Sequence, residues 1–238
     1  MSASLQERKV LIVGRESGLA RATALAVRAA GANVVVASRN AGKLAKAYDD
    51  PGITAETVDL TDEASIEALG ERLGHVDHVV SAASARARGK LPSLEHDDVL
   101  RSFDTKVVGP IMLAKHLAPR MPKDGSFVFF SGWSANKPSI GVLAVGATNG
   151  AVDVVVRYLA VELAPIRVNA VSPGTIDTGA YDSLGEEKKA AYLRHHAETN
   201  PARRNGEPED VAEAVLYALT NTFVTGTSLG VDGGEPLV

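Results

Sequence analysis

Short apolar runs rich in β-branched residues recur along this chain, separated by helix-length segments. KVLIV (9–13) is followed by NVVVAS (33–38), ITAETV (53–58), HVVS (78–81), SFVFFS (126–131), IRVNAVS (166–172) and SLGVD (228–232). Most lack alternation with charged residues, so they read as strands of a parallel sheet covered on both faces. Between them Ala20–Ala30 reads as a helix that stops at Gly31. Asp62–Leu73, His96–Met121, Ala147–Leu163 and Glu209–Leu219 read as further helices. Asp62 and Glu209 put acids near helix starts, where the dipole favours them. The alternation predicts one α/β domain over residues 1–238, built on an open doubly wound parallel sheet of about seven strands. It breaks over 179–204, a polar stretch with the helix-prone run EEKKAAYLRHHAE. That insert reads either as a substrate lid or as a solvated surface helix.

Composition removes several function classes. The 238 residues carry a net charge of −4 with no broad basic excess, which argues against nucleic acid or an anionic membrane as partner. Cysteine is absent, so disulfides, thiolate metal sites and a cysteine nucleophile are excluded. No metal site is expected, because the adjacent His195 and His196 point to different faces of a helix. The N-terminus shows no signal-peptide pattern and no apolar segment reads as the roughly 20-residue span of a bilayer, so a cytoplasmic protein is expected.

The first strand runs into Gly14-Arg15-Glu16-Ser17-Gly18-Leu19-Ala20 and then a helix. Glycines between a strand and a helix permit a tight turn and let backbone approach a pyrophosphate at the helix N-terminus. This makes the fold Rossmann-type and Gly14, Arg15, Ser17, Gly18 and Leu19 candidate cofactor ligands. The second strand ends in Ser38-Arg39 with no carboxylate to bind a ribose 2′-hydroxyl. Arg39, with Ser38 and Arg15, suits a 2′-phosphate, so NADP(H) is the expected cofactor. Glu16 is a contrary feature, since its carboxylate near a phosphate would cost affinity.

The stretch from Ser131 to Thr178, ending LAVELAPIRVNAVSPGTIDT, closely resembles the short-chain dehydrogenase/reductase family. The glycine turn and the C-terminal segments Pro201–Ala212, Val224-Thr225-Gly226 and Val231–Gly234 follow the same pattern, so the resemblance covers essentially the whole chain. It implies that Asp59-Leu60 and Ser81-Ala82-Ala83 lie by the adenosine half of the cofactor. It also implies that Pro173-Gly174-Thr175-Ile176-Asp177-Thr178 wraps the nicotinamide.

In that family a Tyr gives a proton to the substrate carbonyl, a Lys four residues later lowers its pKa, a Ser holds the carbonyl and a helix Asn orders a water relay. Here the Tyr position falls on Val145, the Lys position on Asn149 and the Asn position on Lys106. The Ser position falls on Gly132, between Ser131 and Ser134. No Tyr lies between Asp49 and Tyr158, so no shift of register restores the motif. Tyr158 is expected to be packed.

Two readings follow. In the first, the chain is an NADPH-dependent reductase of a small carbonyl or an activated acceptor. Lys106 is then the acid, Ser131 and Asn149 polarise the carbonyl, and Tyr181 is a second donor. Trp133, Val145 and Tyr181 would line the substrate. In the second, it binds NADP(H) without turnover, as a sensor or partner subunit, and Lys106 is a cofactor-binding residue, a structural ligand of phosphate or carboxylate. A homodimer or homotetramer through helices 96–121 and 147–163 is expected in either case.

Overall fold

The computed structural model describes residues 3–179 and 181–238. Seven parallel strands form one sheet: β1 (Lys9–Val13), β2 (Asn33–Ser38), β3 (Ile53–Thr57), β4 (His78–Ser81), β5 (Ser126–Phe130), β6 (Arg167–Pro173) and β7 (Ser228–Val231). Their spatial order is β3-β2-β1-β4-β5-β6-β7. Each expected strand is present, with ends shifted by a residue or so. Register places Leu11 beside both Val35 and Val79, and Val128 between Val80 and Asn169.

The α-helices among the described residues are α1 (Gly18–Ala29), α2 (Ala41–Ala45), α3 (Glu63–Leu73), α4 (His96–Phe103), α5 (Gly109–Leu117), α6 (Leu143–Glu162), α7 (Glu186–Thr199) and α8 (Pro208–Thr220), of which α7, in the insert, buries no residue. Two apolar clusters result, one per sheet face. Val10, Ile12, Val34 and Val36 pack with Ala24 and Val27 of α1 and Val211 and Val215 of α8. Leu11, Val35, Phe127 and Phe129 pack with Ile66, Leu113, Leu117, Val152 and Val156 of α3, α5 and α6. Strand residues alternate between the clusters because successive side chains point to opposite faces.

The expected helix over 96–121 runs without a gap to Arg120 but is not uniform. Pro110 has no N–H to donate to its preceding turn, and between α4 and α5 the chain widens into a π-helical turn, Asp104–Val108. There the Gly109 N–H bonds Asp104 O, five residues back. α6 also departs from expectation: over its 20 residues it is long and apolar enough to cross a membrane by length and composition. Here it lies on the sheet and buries Val145, Thr148, Asn149, Val152 and Val156.

Candidate active site

The loops leaving the C-terminal ends of β1, β2, β3, β4 and β6 enclose a cleft of about 920 Å³. A crevice at this edge is where open α/β sheets take ligands. The chain can dip under a ligand here because of its glycines. A Cβ at Gly14 would lie 2.5 Å from the Ala20 methyl, so strand and helix touch through the missing side chain. Gly18 has φ +59°, and a Cβ on it would sit 3.3 Å from the Thr178 side chain. α1 then starts with Ser17 at its cap making no side-chain capping bond. Its first amides are left for an anion.

Arg15 and Arg39 line the same cleft, and neither pairs with a carboxylate among the described residues. Glu16 does not oppose them. Its carboxylate pairs with Lys43 of α2, and that hydrogen bond holds its pKa below the usual range. Lys43 is placed by Asn40, whose side chain accepts from the Lys43 N–H at 2.9 Å. Ser38 Oγ accepts from the Asn40 N–H at 3.2 Å. Asp59 accepts from the Thr61 N–H at 2.9 Å and the Thr61 hydroxyl at 2.8 Å; the first of these does most to lower its pKa. These features fit a phosphorylated dinucleotide: helix amides at the pyrophosphate, and two unpaired guanidiniums.

Lys106, on the π-helical turn, is 7% exposed. Its ammonium donates to Ser131 O at 3.1 Å and to Asn149 Oδ1. Asn149 donates through Nδ2 to Ser134 Oγ at 2.9 Å, and its main-chain carbonyl accepts from Ser131 Oγ at 3.1 Å. Gly132 makes room for this: a Cβ there would lie 2.7 Å from Asn149 Nδ2. Burial, helped by the nearby Arg86 charge, pushes the Lys106 pKa down to about 7, while Asp153 acts the other way. An amine poised there can give or take a proton near neutral pH.

The loop after β6 is held by a buried carboxylate. Glu235 accepts from the Thr175 N–H at 2.7 Å and the Thr175 hydroxyl at 3.1 Å, and meets His196 Nδ1 at 3.2 Å. His196 packs on Tyr192 and Tyr192 on Tyr181, with centroids 4.4 and 4.7 Å apart. Lys189 adds ion pairs to Asp177 at 2.9 Å and Asp182 at 2.8 Å. α7 of the insert is thus tied to the loop after β6 through His196 and Lys189, while burying none of its own residues.

The cleft collects Gly14, Arg15, Ser17, Gly18, Leu19, Ser38, Arg39, Asp59, Leu60, Ala82, Ala83 and Thr178. Ser81 instead ends β4 inside the sheet, with its hydroxyl buried and unpartnered. Pro173, Gly174 and Ile176 do not line the cleft, and a Cβ on Gly174 would reach the Asp232 backbone at 2.6 Å. Lys106, Ser131 and Asn149 do come together, but they are buried off the cleft, as is Val145. Trp133 is half-buried on a short turn against α6, and Tyr181 is 7% exposed against Tyr192; neither lines the cleft. Tyr158, expected to pack, is 67% exposed on the outer face of α6. Sequence reasoning passed over Arg86, which lines the cleft beyond β4. Its signal was the alternating run Ala85-Arg86-Ala87-Arg88.

A family model described as enoyl-(acyl carrier protein) reductase matches residues 13–235. The chain is 32% identical to a short-chain dehydrogenase/reductase, ucsE, of Acremonium sp, over 97% of this chain and 96% of that protein. It is 32% identical over the full length of both to a cis-4-hydroxycyclohexanecarboxylate dehydrogenase of Sinomonas cyclohexanicum. Among solved structures, a small-chain dehydrogenase in complex with NADPH superposes with a TM-score of 0.84 at 29% identity, over 98% of this chain and 100% of that one.

Proposed function

The chain belongs to the short-chain dehydrogenase/reductase family, and on that premise we propose that it is an NADPH-dependent oxidoreductase. It reduces a small carbonyl or activated acceptor through a non-standard catalytic site. The nicotinamide nucleotide supplies hydride to the carbonyl carbon when bound. The chain supplies the rest. The amides at the start of α1 neutralise the pyrophosphate, and Arg39 with Ser38 and Arg15 selects a 2′-phosphate. The NADPH held by the solved neighbour supports that choice.

The proton comes from Lys106. By the family pattern, the helix position carries a neutral Asn and the α6 position a Lys; here the two are exchanged as Lys106 and Asn149, and Val145 stands where the Tyr would be. The observation that carries this reading is the buried Lys106 ammonium, shared by Ser131 O and Asn149 Oδ1, with a pKa near 7. A proton leaves its Nζ for the carbonyl oxygen as hydride reaches the carbonyl carbon, and an alcohol and the neutral amine result. Asn149 and Ser131 hold the amine, and Tyr181 stands by as a second donor. α7 with the rest of 179–204 acts as the lid.

The burial of Lys106 away from the cleft favours a second reading, in which the protein binds NADP(H) without turnover. Lys106→Met separates the two. The reductase reading expects turnover of NADPH to fall at least about 100-fold, within the range lost with a general acid, with NADPH affinity retained in a titration. Equal activity in variant and parent removes Lys106 from the mechanism, and absence of hydride transfer in single-turnover mixing with a broad acceptor panel favours the non-catalytic reading. Exposed Leu100, Val108, Val154, Tyr158 and Val161 on α4 to α6 support a homodimer or homotetramer, and a cytoplasmic protein completes the proposal.

A further inference from the structure

The segment after β4 is built to present cations. Ala82 extends the sheet, its N–H bonding Val13 O at 2.8 Å. Ser102 of α4 donates to Ala85 O at 2.7 Å, and Gly89 closes the segment on Gly141 O at 2.9 Å. Between these anchors the side chains alternate as in any extended segment. Ala87 is buried, while Arg86 and Arg88 are exposed. Arg86 lines the cleft, and the Arg88 guanidinium lies 6.0 Å from the ring centroid of Tyr181, at the start of the insert. One cation therefore stands in the cleft and the next but one along the chain beside the first residues of the insert.

Neither guanidinium pairs with a carboxylate among the described residues. Arg88 and Arg15 repel Arg86 while Tyr181 acts the other way, and the Arg86 charge in turn weighs on Lys106. The acids that line the cleft do not answer it: Asp59 is engaged by Thr61, and Asp97 meets His96 at 3.1 Å. Asp104, the third, makes no ion pair with either arginine. Two like charges held a residue apart with no counter-charge raise each other's energy, and an anion between them removes that cost.

We propose that Arg86 and Arg88 form an acceptor subsite for a carboxylate, so that the substrate is an oxo acid whose carboxylate sits at this pair while its carbonyl points toward the cofactor. The proposal deepens the reductase reading and rests on it for the identity of the carbonyl partner. The name of the Sinomonas relative, which acts on a ring alcohol bearing a carboxylate, is consistent with this class. The other anion within reach is the cofactor's pyrophosphate, and the experiment separates the two.

Equilibrium titrations of the NADP⁺-loaded protein, which has no hydride to give, with 4-oxocyclohexanecarboxylate and a panel of linear oxo acids, each beside its methyl ester, test it, with NADPH consumption followed in a parallel turnover assay. Acids are expected to bind at least about 10-fold more tightly than esters, a gap that one charge-assisted pair supplies. Arg86→Met should erase that gap, Arg86→Lys should restore part of it, and ester and NADPH affinities should stay unchanged. Acids and esters that bind alike across the panel overturn the subsite. A loss of NADPH affinity in Arg86→Met, with acid binding intact, assigns the guanidinium to the pyrophosphate and also overturns it. Discrimination between acid and ester with no NADPH consumed leaves the subsite standing and refutes the reductase reading instead.

Discussion

At the scale of single residues the proposed catalytic cluster rests on Lys106 and on a glycine that makes space for its partner Asn149. Lys106 was legible as a cation at a position the family fills with an amide. Its burial was not, because the widening of the helix at Asp104–Val108 depends on tertiary packing. Burial sets two pH effects with opposite practical signs. Below pH 7 both folded and unfolded chains carry the ammonium, and the folded one bears the full burial cost. As pH rises from about 7 toward the free lysine value, the unfolded chain keeps a proton that the folded chain has released. Stability therefore rises with pH, by up to about 1.4 kcal/mol per unit. Denaturant unfolding of the parent and of Lys106→Met at pH 7 and pH 9 should show this slope in the parent and its loss in the variant. Reduction should do the reverse, with kcat/KM falling above pH 7 as the ammonium is lost. Gly132 has an extended backbone that any residue can adopt, so its constraint is purely one of space: a Cβ would press on Asn149 Nδ2 at 2.7 Å. Gly132→Ala should cost about 1–3 kcal/mol by overpacking. Most of that should vanish on an Asn149→Ala background, and a double-mutant cycle of unfolding free energies reads the coupling directly.

At the scale of elements, strand positions were the easiest to read. A buried parallel strand has to be continuously apolar, and KVLIV, NVVVAS and SFVFFS carry that requirement in every residue. Helices that merely cover the sheet were nearly as plain. Their interruptions were not, since neither Pro110 nor the i+5 bond at Gly109 announces a π turn in a sequence otherwise helical from His96. Arg167 is an element-level device that the sequence hides. It looks like a charged residue at the mouth of a strand, yet it is 7% exposed and caps a helix. It donates to Ala218 O at 2.6 Å, Leu219 O at 2.7 Å and Val224 O at 3.3 Å, binding the end of α8 to β6. Arg167→Met removes a cation from the negative end of that helix and leaves buried carbonyls without donors. The variant should lose about 3 kcal/mol by chemical denaturation. Amide exchange should quicken first in the last turn of α8 and in residues 224–228 rather than uniformly.

At the scale of the whole molecule, the sheet and its two apolar clusters serve to hold one edge of loops in register, and the cleft is assembled from segments far apart in sequence. This is why the glycine turn and Arg39 could be named from local pattern and Thr178 from the family resemblance, while the alternating run at Arg86 did not say where it would lie: it joins the cleft only when the loop after β4 is folded against the rest of the molecule. A cleft so distributed makes ligand binding a global stabiliser, because every loop it ties belongs to the same cooperative unit. A ligand at 100 times its Kd adds about 2.7 kcal/mol to the folded state. For a chain of this size each kcal/mol is worth about 2–4 °C in Tm, so NADPH at that concentration should raise the melting temperature by roughly 5–11 °C. If Arg39 and Arg15 favour the 2′-phosphate about 100-fold, NADH at the same concentration sits near its own Kd. It then adds only about 0.4 kcal/mol, a shift of roughly 1 °C. Arg39→Asp should collapse the difference by repelling the 2′-phosphate and offering a carboxylate to the ribose hydroxyl. Thermal unfolding of parent and variant with each nucleotide decides the matter. Equal shifts by NADPH and NADH in the parent would show that Arg39 does not read the phosphate, and no shift with either would show that the cleft takes some other ligand.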